Sequence, residues 1–325
     1  MRFIIFGAGG VGGVIGAQLF KAKQDVVLIA RGEHLRVMQT HGLRYETPFG
    51  DERLSIPAVG HPSELTFSSS DVVVLTCKSQ HTVAALEALR RCAGVDVPVV
   101  CCQNGVQNEH MALRRFSTVY AMLVYLPAQL TEPGRIQCHA KLKSGVLDLG
   151  VFPSGVDATA QEISQRFEAV NFSVRPEPQI MRWKYAKLLA NLNNALEAVT
   201  PRGPGVADIK AAMKAEGVAC LTRAGIDFAS DDEVKERRDG VFALGDIPGV
   251  ERVGGSSRQS LLRGTGDIEA DYLNGEIVKL GREFGVSTPI NTALTQMAVE
   301  LADSGALPEA FSFAELETRI ARAAR

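Results

Sequence analysis

The strongest constraint on this chain's fold lies in its first turn. Phe3–Phe6 is an apolar run with strand character, and Gly7-Ala8-Gly9-Gly10-Val11-Gly12 follows it directly as a Gly-x-Gly-x-x-Gly. The same glycines open a helical pattern that runs from about Gly10 to Lys23. In that context Gly7 permits a tight turn, Gly9 lets backbone approach a pyrophosphate, and Gly12 lets the helix pack close to the strand. The amides of the helix N-terminus then face the phosphates, favoured by the helix dipole. A dinucleotide is the expected ligand.

The rest of the first half repeats the alternation. Strands are predicted at Asp25–Ala30, Val72–Thr76, Pro98–Cys102 and Val119–Tyr125, with a helix near Glu33–His41 after the second. These strands lack polar faces, which predicts a mostly parallel, doubly wound sheet covered by helices on both sides, a Rossmann arrangement. Two weaker stretches, Leu43–Val59 and Arg135–Leu149, read as antiparallel additions. After Arg175-Pro176-Glu177-Pro178 the periodicity turns helical, over about 179–199, 206–224, 269–284, 289–303 and 308–323. The expected organisation is a dinucleotide-binding domain, 1–176, and an all-α substrate-binding and catalytic domain, 177–325.

Cofactor choice is read about 20 residues beyond the glycines, where an acid would take the ribose hydroxyls of NAD. Here the second strand ends Ile29-Ala30-Arg31-Gly32. A guanidinium at that point suits a 2′-phosphate through bidentate charge-assisted bonds, so NADP is expected, with Glu33 the one nearby acid that speaks for NAD. Two further strand ends carry chemistry, Cys77-Lys78-Ser79-Gln80 and Gln103-Asn104-Gly105. Position places Lys78 and Asn104 at the ligand crevice, although an exposed lysine and an Asn-Gly turn would look the same.

Met181–Ala195, MRWKYAKLLANLNNA, combines helix-forming leucines and alanines with asparagines, which are poor helix formers. On a helical wheel Lys184, Lys187, Asn191 and Asn194 share a sector of about 80°, beside a leucine stripe. A solvent face explains lysines well and asparagines poorly, so a polar cleft is the better match. The wheel does not separate Lys184 from Lys187.

At this point the chain resembles the ketopantoate reductase (2-dehydropantoate 2-reductase) family over nearly its whole length. The resemblance rests on the glycine loop 7–12, Arg31, Lys78, Gln103-Asn104-Gly105, Lys187-Leu188-Leu189-Ala190-Asn191, Glu269-Ala270-Asp271-Tyr272-Leu273-Asn274-Gly275 and Thr288-Pro289-Ile290-Asn291. It implies NADPH-dependent reduction of 2-dehydropantoate to pantoate, in pantothenate and coenzyme A biosynthesis. The family's catalytic lysine stands four residues before an asparagine, which implies Lys187 with Asn191. It further implies that Asn104 touches cofactor and substrate, that Lys78 stands near the nicotinamide, and that Ala128 offers backbone to the cofactor. Ser257 is implied to bind the substrate carboxylate, Asn194 to line the substrate side, and Glu269 to be an active-site carboxylate near cofactor and lysine. By residue chemistry alone, Ser257 is equally an N-cap and Glu269 equally a helix-start acid.

Departures from the family pattern gather on the substrate side. Ala195 stands where a second asparagine is usual, Arg258 follows the serine, Leu261 replaces an aspartate, and Thr200–Gly205 lacks a loop asparagine. A different 2-keto acid is therefore open, with Arg202 or Arg258 as a carboxylate clamp, as is an opine-type dehydrogenase. A non-catalytic NADP sensor is the alternative from another class. A net charge of -2 without charge runs speaks against nucleic acid. No apolar run approaches the roughly 20 residues of a membrane span. The six cysteines form no C-x-x-C pair and suit a reducing compartment, so the cytoplasm is expected. No metal-ligand spacing occurs; the expected partner is a small 2-keto acid, with a homodimer allowed.

Overall fold

The structure, a computed structural model, describes residues 1–252, 254–264 and 266–325. The chain divides into two compact units, Met1–Trp183 with Asp231–Glu251, and Lys184–Ser230 with Arg252–Arg325. The connector read near 176 lies inside the first unit, and the division falls within the helix Ile180–Asn191.

The first unit is built on a seven-stranded sheet. From one edge its strands are Leu149–Val151, Val119–Met122, Val99–Cys101, Asp71–Leu75, Arg2–Phe6, Val26–Ile29 and Ala58–Val59. All neighbours are parallel except Leu149–Val151, which runs antiparallel to Val119–Met122. Strand residues alternate between two apolar layers. Phe3, Ile5, Leu28, Val74 and Val100 enter one, while Ile4, Val27, Val73, Val99 and Cys101 enter the other. Both faces are therefore buried, which is why the sequence shows continuous apolar runs instead of alternation. Cys101 and Cys102 pack in opposite layers, and neither is in a disulfide.

The two weaker stretches need a correction. Leu43–Thr47 and Gly50–Leu54 form the expected antiparallel hairpin, and Arg135–Cys138 pairs antiparallel with Ala128–Glu132. Arg135–Cys138, however, runs parallel to Leu43–Thr47, and Ala58–Val59 leaves the hairpin to become a parallel edge strand of the main sheet. Ala58–Val59 is only two residues long, too short for periodicity to reveal.

Asp231–Glu251 is held to the first unit by specific bonds. Its helix, Asp231–Arg238, starts with acids and ends with bases, matching the helix dipole. Arg237 grips the fully buried Asp148 with two nitrogens, at 2.7 and 2.5 Å, and donates to Ser173 at 3.1 Å. Arg182 pairs with Glu233, and the Arg238 guanidinium lies 4.7 Å from the Tyr125 ring centre. Backbone bonds from Lys141 to Ala243 and from Gly245 to His139 complete the seam.

The second unit is helical, with Asn193–Val199, Val206–Arg223, Ser256–Leu262, Asn274–Phe284, Pro289–Ser304 and Phe313–Ala323 following the end of Ile180–Asn191. The periodic stretch 179–199 is thus two helices, interrupted at Leu192, whose φ and ψ stay helical. A buried polar network meets that point. Asn274 Nδ2 donates to the Leu192 carbonyl (3.2 Å) and to Asn291 Oδ1 (3.0 Å). Asn291 Nδ2 donates to Glu216 (2.7 Å) and to the Met213 carbonyl (3.1 Å), and Glu216 accepts the Ile290 and Asn291 amides. A side-chain amide inserted at a helix carbonyl is an identifiable cause of such an interruption. No helix among the described residues is long and apolar enough to cross a membrane.

Candidate active site

In the first unit the sheet order reverses between Arg2–Phe6 and Asp71–Leu75, and the glycine loop sits at the carboxyl end of that switch point, where open α/β sheets bind ligands. Gly7 has φ +116°, and a Cβ there would lie 2.7 Å from the Cys77 amide nitrogen. A Cβ on Gly12 would collide with the Gly7 carbonyl oxygen and the Thr76 hydroxyl, which donates to that same carbonyl at 2.8 Å. Gly9, by contrast, has nothing within 4 Å of where a Cβ would stand. The helix Gly10–Lys21 carries no side-chain cap and no acid in its first turn. These features fit a dinucleotide pyrophosphate: tight packing behind the loop, open space before it, and uncapped amides. Ala128 starts the strand laid against this helix; a Cβ on Gly10 would lie 3.0 Å from Gln129 Cα. Its amide is spent on the Leu126 carbonyl at 2.8 Å, so the backbone contact implied for Ala128 would fall to its carbonyl.

Lys78 and Asn104 follow adjacent parallel strands. Their loops are tied together from behind. Gln103 Nε2 donates to the Cys77 carbonyl (2.7 Å) and Thr82 Oγ1 (2.8 Å). Thr82 Oγ1 donates to Asn108 Oδ1, and Asn108 Nδ2 donates to Ser79 Oγ (3.1 Å) and the Asn104 carbonyl (3.0 Å). Gln103 is therefore a brace, as are Thr82 and Asn108, which sequence reasoning passed over. A buried asparagine four residues after Asn104, opening the helix Asn108–Leu113, was the available signal.

Arg31 is exposed at the start of the helix Gly32–His41. Glu33 is turned toward Arg36, which holds its carboxylate (Nε–Oε2 2.7 Å) and keeps its pKa below the ordinary value.

In the second unit, Lys187 is half-buried and Asn191 buried, one turn apart on one helix, while Lys184 is only 3% exposed. Asn194 Nδ2 donates to Ser256 Oγ at 3.3 Å, so Asn194 lies against the start of the helix that carries Ser257. The N-cap of that helix is Gly255, not Ser257, whose side chain is buried; the simple capping reading of Ser257 does not hold. Glu269 is buried and precedes a 3-10 turn, Ala270–Tyr272, its carbonyl accepting the Tyr272 and Leu273 amides. Asn193, on the other side of the wheel, donates to Glu197. Arg258 is ion-paired with Glu309 rather than left open as a clamp, whereas Arg202 is exposed.

A glycine loop at the switch point of a parallel sheet, joined in one chain to a helical unit, defines a dinucleotide-binding protein. The profile described as "Ketopantoate reductase PanE/ApbA" matches residues 3–154, and "Ketopantoate reductase PanE/ApbA C terminal" matches 179–302. The chain belongs to this family. It is 26% identical to the 2-dehydropantoate 2-reductase of Pyrococcus horikoshii over 302 residues, 90% of this chain and 95% of that one. The crystal structure of a PanE/ApbA family ketopantoate reductase from Ralstonia eutropha JMP134 is similar at TM-score 0.79 and 28% identity, covering 94% of this chain and 99% of that one. D-mandelate dehydrogenase with NADH and anilino(oxo)acetate shares the fold, at TM-score 0.79 and 21% identity over the same shares.

Proposed function

We propose that this reductase uses NADPH to reduce 2-dehydropantoate to pantoate, a step of pantothenate and coenzyme A biosynthesis. The observation that carries the chemistry is the half-buried Lys187 one turn from the buried Asn191 on a single helix. Bound NADPH would supply a hydride to the keto carbon. The Lys187 ammonium stabilises the alkoxide charge developing on the substrate oxygen and donates the proton from Nζ. The Asn191 amide orients that oxygen without adding charge, and Glu269 favours the charged lysine. Ser257 donates its hydroxyl to the substrate carboxylate, with Asn194 beside it. The glycine loop and Arg31 hold the cofactor phosphates, Lys78 stands at its nicotinamide end, Asn104 touches cofactor and substrate, and the Ala128 backbone is a further contact to the cofactor.

A second reading keeps the chemistry and changes the 2-keto acid. It is favoured by Leu261 and Ala195, both buried apolar residues where the family pattern has an aspartate and an asparagine. NADPH oxidation with 2-dehydropantoate beside a panel of 2-keto acids decides between them. The highest kcat/KM is expected with 2-dehydropantoate; a tenfold preference for another acid would transfer the assignment to it. With the preferred substrate, Arg31→Ala is expected to raise KM for NADPH by about 10- to 100-fold, the worth of one or two charge-assisted bonds, and to leave KM for NADH nearly unchanged. Equal effects on both would return the cofactor assignment to NAD.

A further inference from the structure

We propose that His34 is a positioning residue for cofactor recognition, locking the glycine loop to the helix that begins at Arg31. The inference rests on the NADPH reading above. His34 lies in the first turn of Gly32–His41 and reaches in two directions. Its Nδ1 accepts the Gly134 amide at 2.8 Å, and its Nε2 lies 2.7 Å from the Ala8 carbonyl. A backbone N–H can only donate, so Nδ1 is the acceptor, and the ring proton sits on Nε2 and is donated to Ala8. The tautomer is thus dictated by the two backbone partners. Ala8 is held at both ends, because its amide donates to the Ile29 carbonyl at 3.2 Å. Gly134 reaches the ring from a turn at φ +77°, and a Cβ there would collide with Val37 on the same helix.

The consequence is geometric. The pyrophosphate loop and the 2′-phosphate arginine belong to separate elements, and the imidazole fixes the distance between them. Only the neutral ring can do so, since a proton on Nδ1 would face the Gly134 donor. Burial holds the His34 pKa below the ordinary histidine value, against the opposing pull of the Ala8 carbonyl. The neighbouring charges leave the ring to its backbone partners. On its own helix Arg36 pairs with Glu33 and Arg31 is exposed; on the packed strands Arg135 pairs with Glu132 and Glu46; the glycine loop has no charged residue.

The test measures Kd for NADPH and NADH, with thermal unfolding, in the wild type, His34→Ala, His34→Gln and Arg31→Ala. His34→Ala is expected to weaken NADPH by about tenfold and to lower the NADPH-over-NADH preference. His34→Gln, which keeps a donor for Ala8, should recover most of both. A lower Tm with both Kd values and their ratio unchanged would overturn the proposal. A preference that falls in Arg31→Ala but not in His34→Ala overturns the positioning role alone; a preference unmoved by Arg31→Ala overturns the NADPH reading instead. Should His34→Ala fail to fold, the NADPH-over-NADH preference of the wild type and His34→Gln, followed as pH is lowered, decides; titration of the 2′-phosphate itself near pH 6 is common to both proteins. The preference should fall further in the wild type than in the variant as pH drops through the His34 pKa, which burial holds below the ordinary histidine value; parallel profiles would count against the proposal.

Discussion

Replacing Lys187 by alanine is expected to lower kcat by at least a hundredfold while NADPH Kd stays within about twofold. General acid catalysis alone is worth about 10²–10⁴ in rate, and the loss of charge opposite the alkoxide adds to it. Lys187→Arg separates the two contributions. It keeps the charge but donates a proton poorly, so it should recover only part of the rate. Lys184→Ala is the necessary companion, because a helical wheel places both lysines in one sector. Lys184 is only 3% exposed and Lys187 is half-buried, so Lys184→Ala should lower stability and spare turnover. Steady-state kinetics with single-turnover measurements checks all three. The reverse pattern, a dead Lys184 variant and an active Lys187 variant, would hand the role to Lys184.

The largest stability effect is expected at Arg237. Asp148 is fully buried and takes two bonds from this guanidinium, which is itself only 10% exposed. Removing one partner of a buried pair leaves the other desolvated and uncompensated, at about 3–5 kcal/mol. Arg237→Ala should sit near the low end, about 3 kcal/mol, because the Arg175 amide still donates to Asp148 at 3.0 Å and the Arg175 guanidinium stays 3.6 Å from it. Urea unfolding measures it. The double variant Arg237→Met with Asp148→Asn should regain part of the loss, since it removes the stranded charge. A loss below about 1 kcal/mol in the single variant would mean that Arg175 takes over the pairing or that water reaches Asp148.

How much of this was legible beforehand depended on how local the cause was. The glycine loop was readable because Gly7 and Gly12 stand where a Cβ cannot, and the reason lies within a few residues. The parallel strands were readable because both faces are buried, which writes apolar runs into the sequence. The interruption at Leu192 was not, because its cause, Asn274, comes from a distant part of the chain. That also recasts the amide-rich helix. Asn194 meets Ser256 and Asn193 meets Glu197, so two of its asparagines already have partners within the helical unit. The return of Asp231–Glu251 to the first unit was equally hidden. Its anchors, Asp148, Tyr125 and His139, are far away in sequence, and nothing in DDEVKERR points to them. Pattern alone narrows the lysine only to Lys184 or Lys187 and does not single out Ser257 or Glu269, since an amphipathic helix and a helix start look alike with or without chemistry.

The chain passes from one unit to the other after Trp183, after Ser230 and again after Glu251. A protein joined at one point can be rebuilt by recombination, trading one half for a homologous half. This one cannot. A cut at the obvious proline-rich joint would deliver the wrong parts, stranding Asp148 in one fragment and Arg237 in the other. Any graft of a new helical unit onto this first unit must leave residues 231–251 with the first unit. A single substitution inside the helical unit, at Ala195, Arg258 or Leu261 for example, leaves that seam untouched.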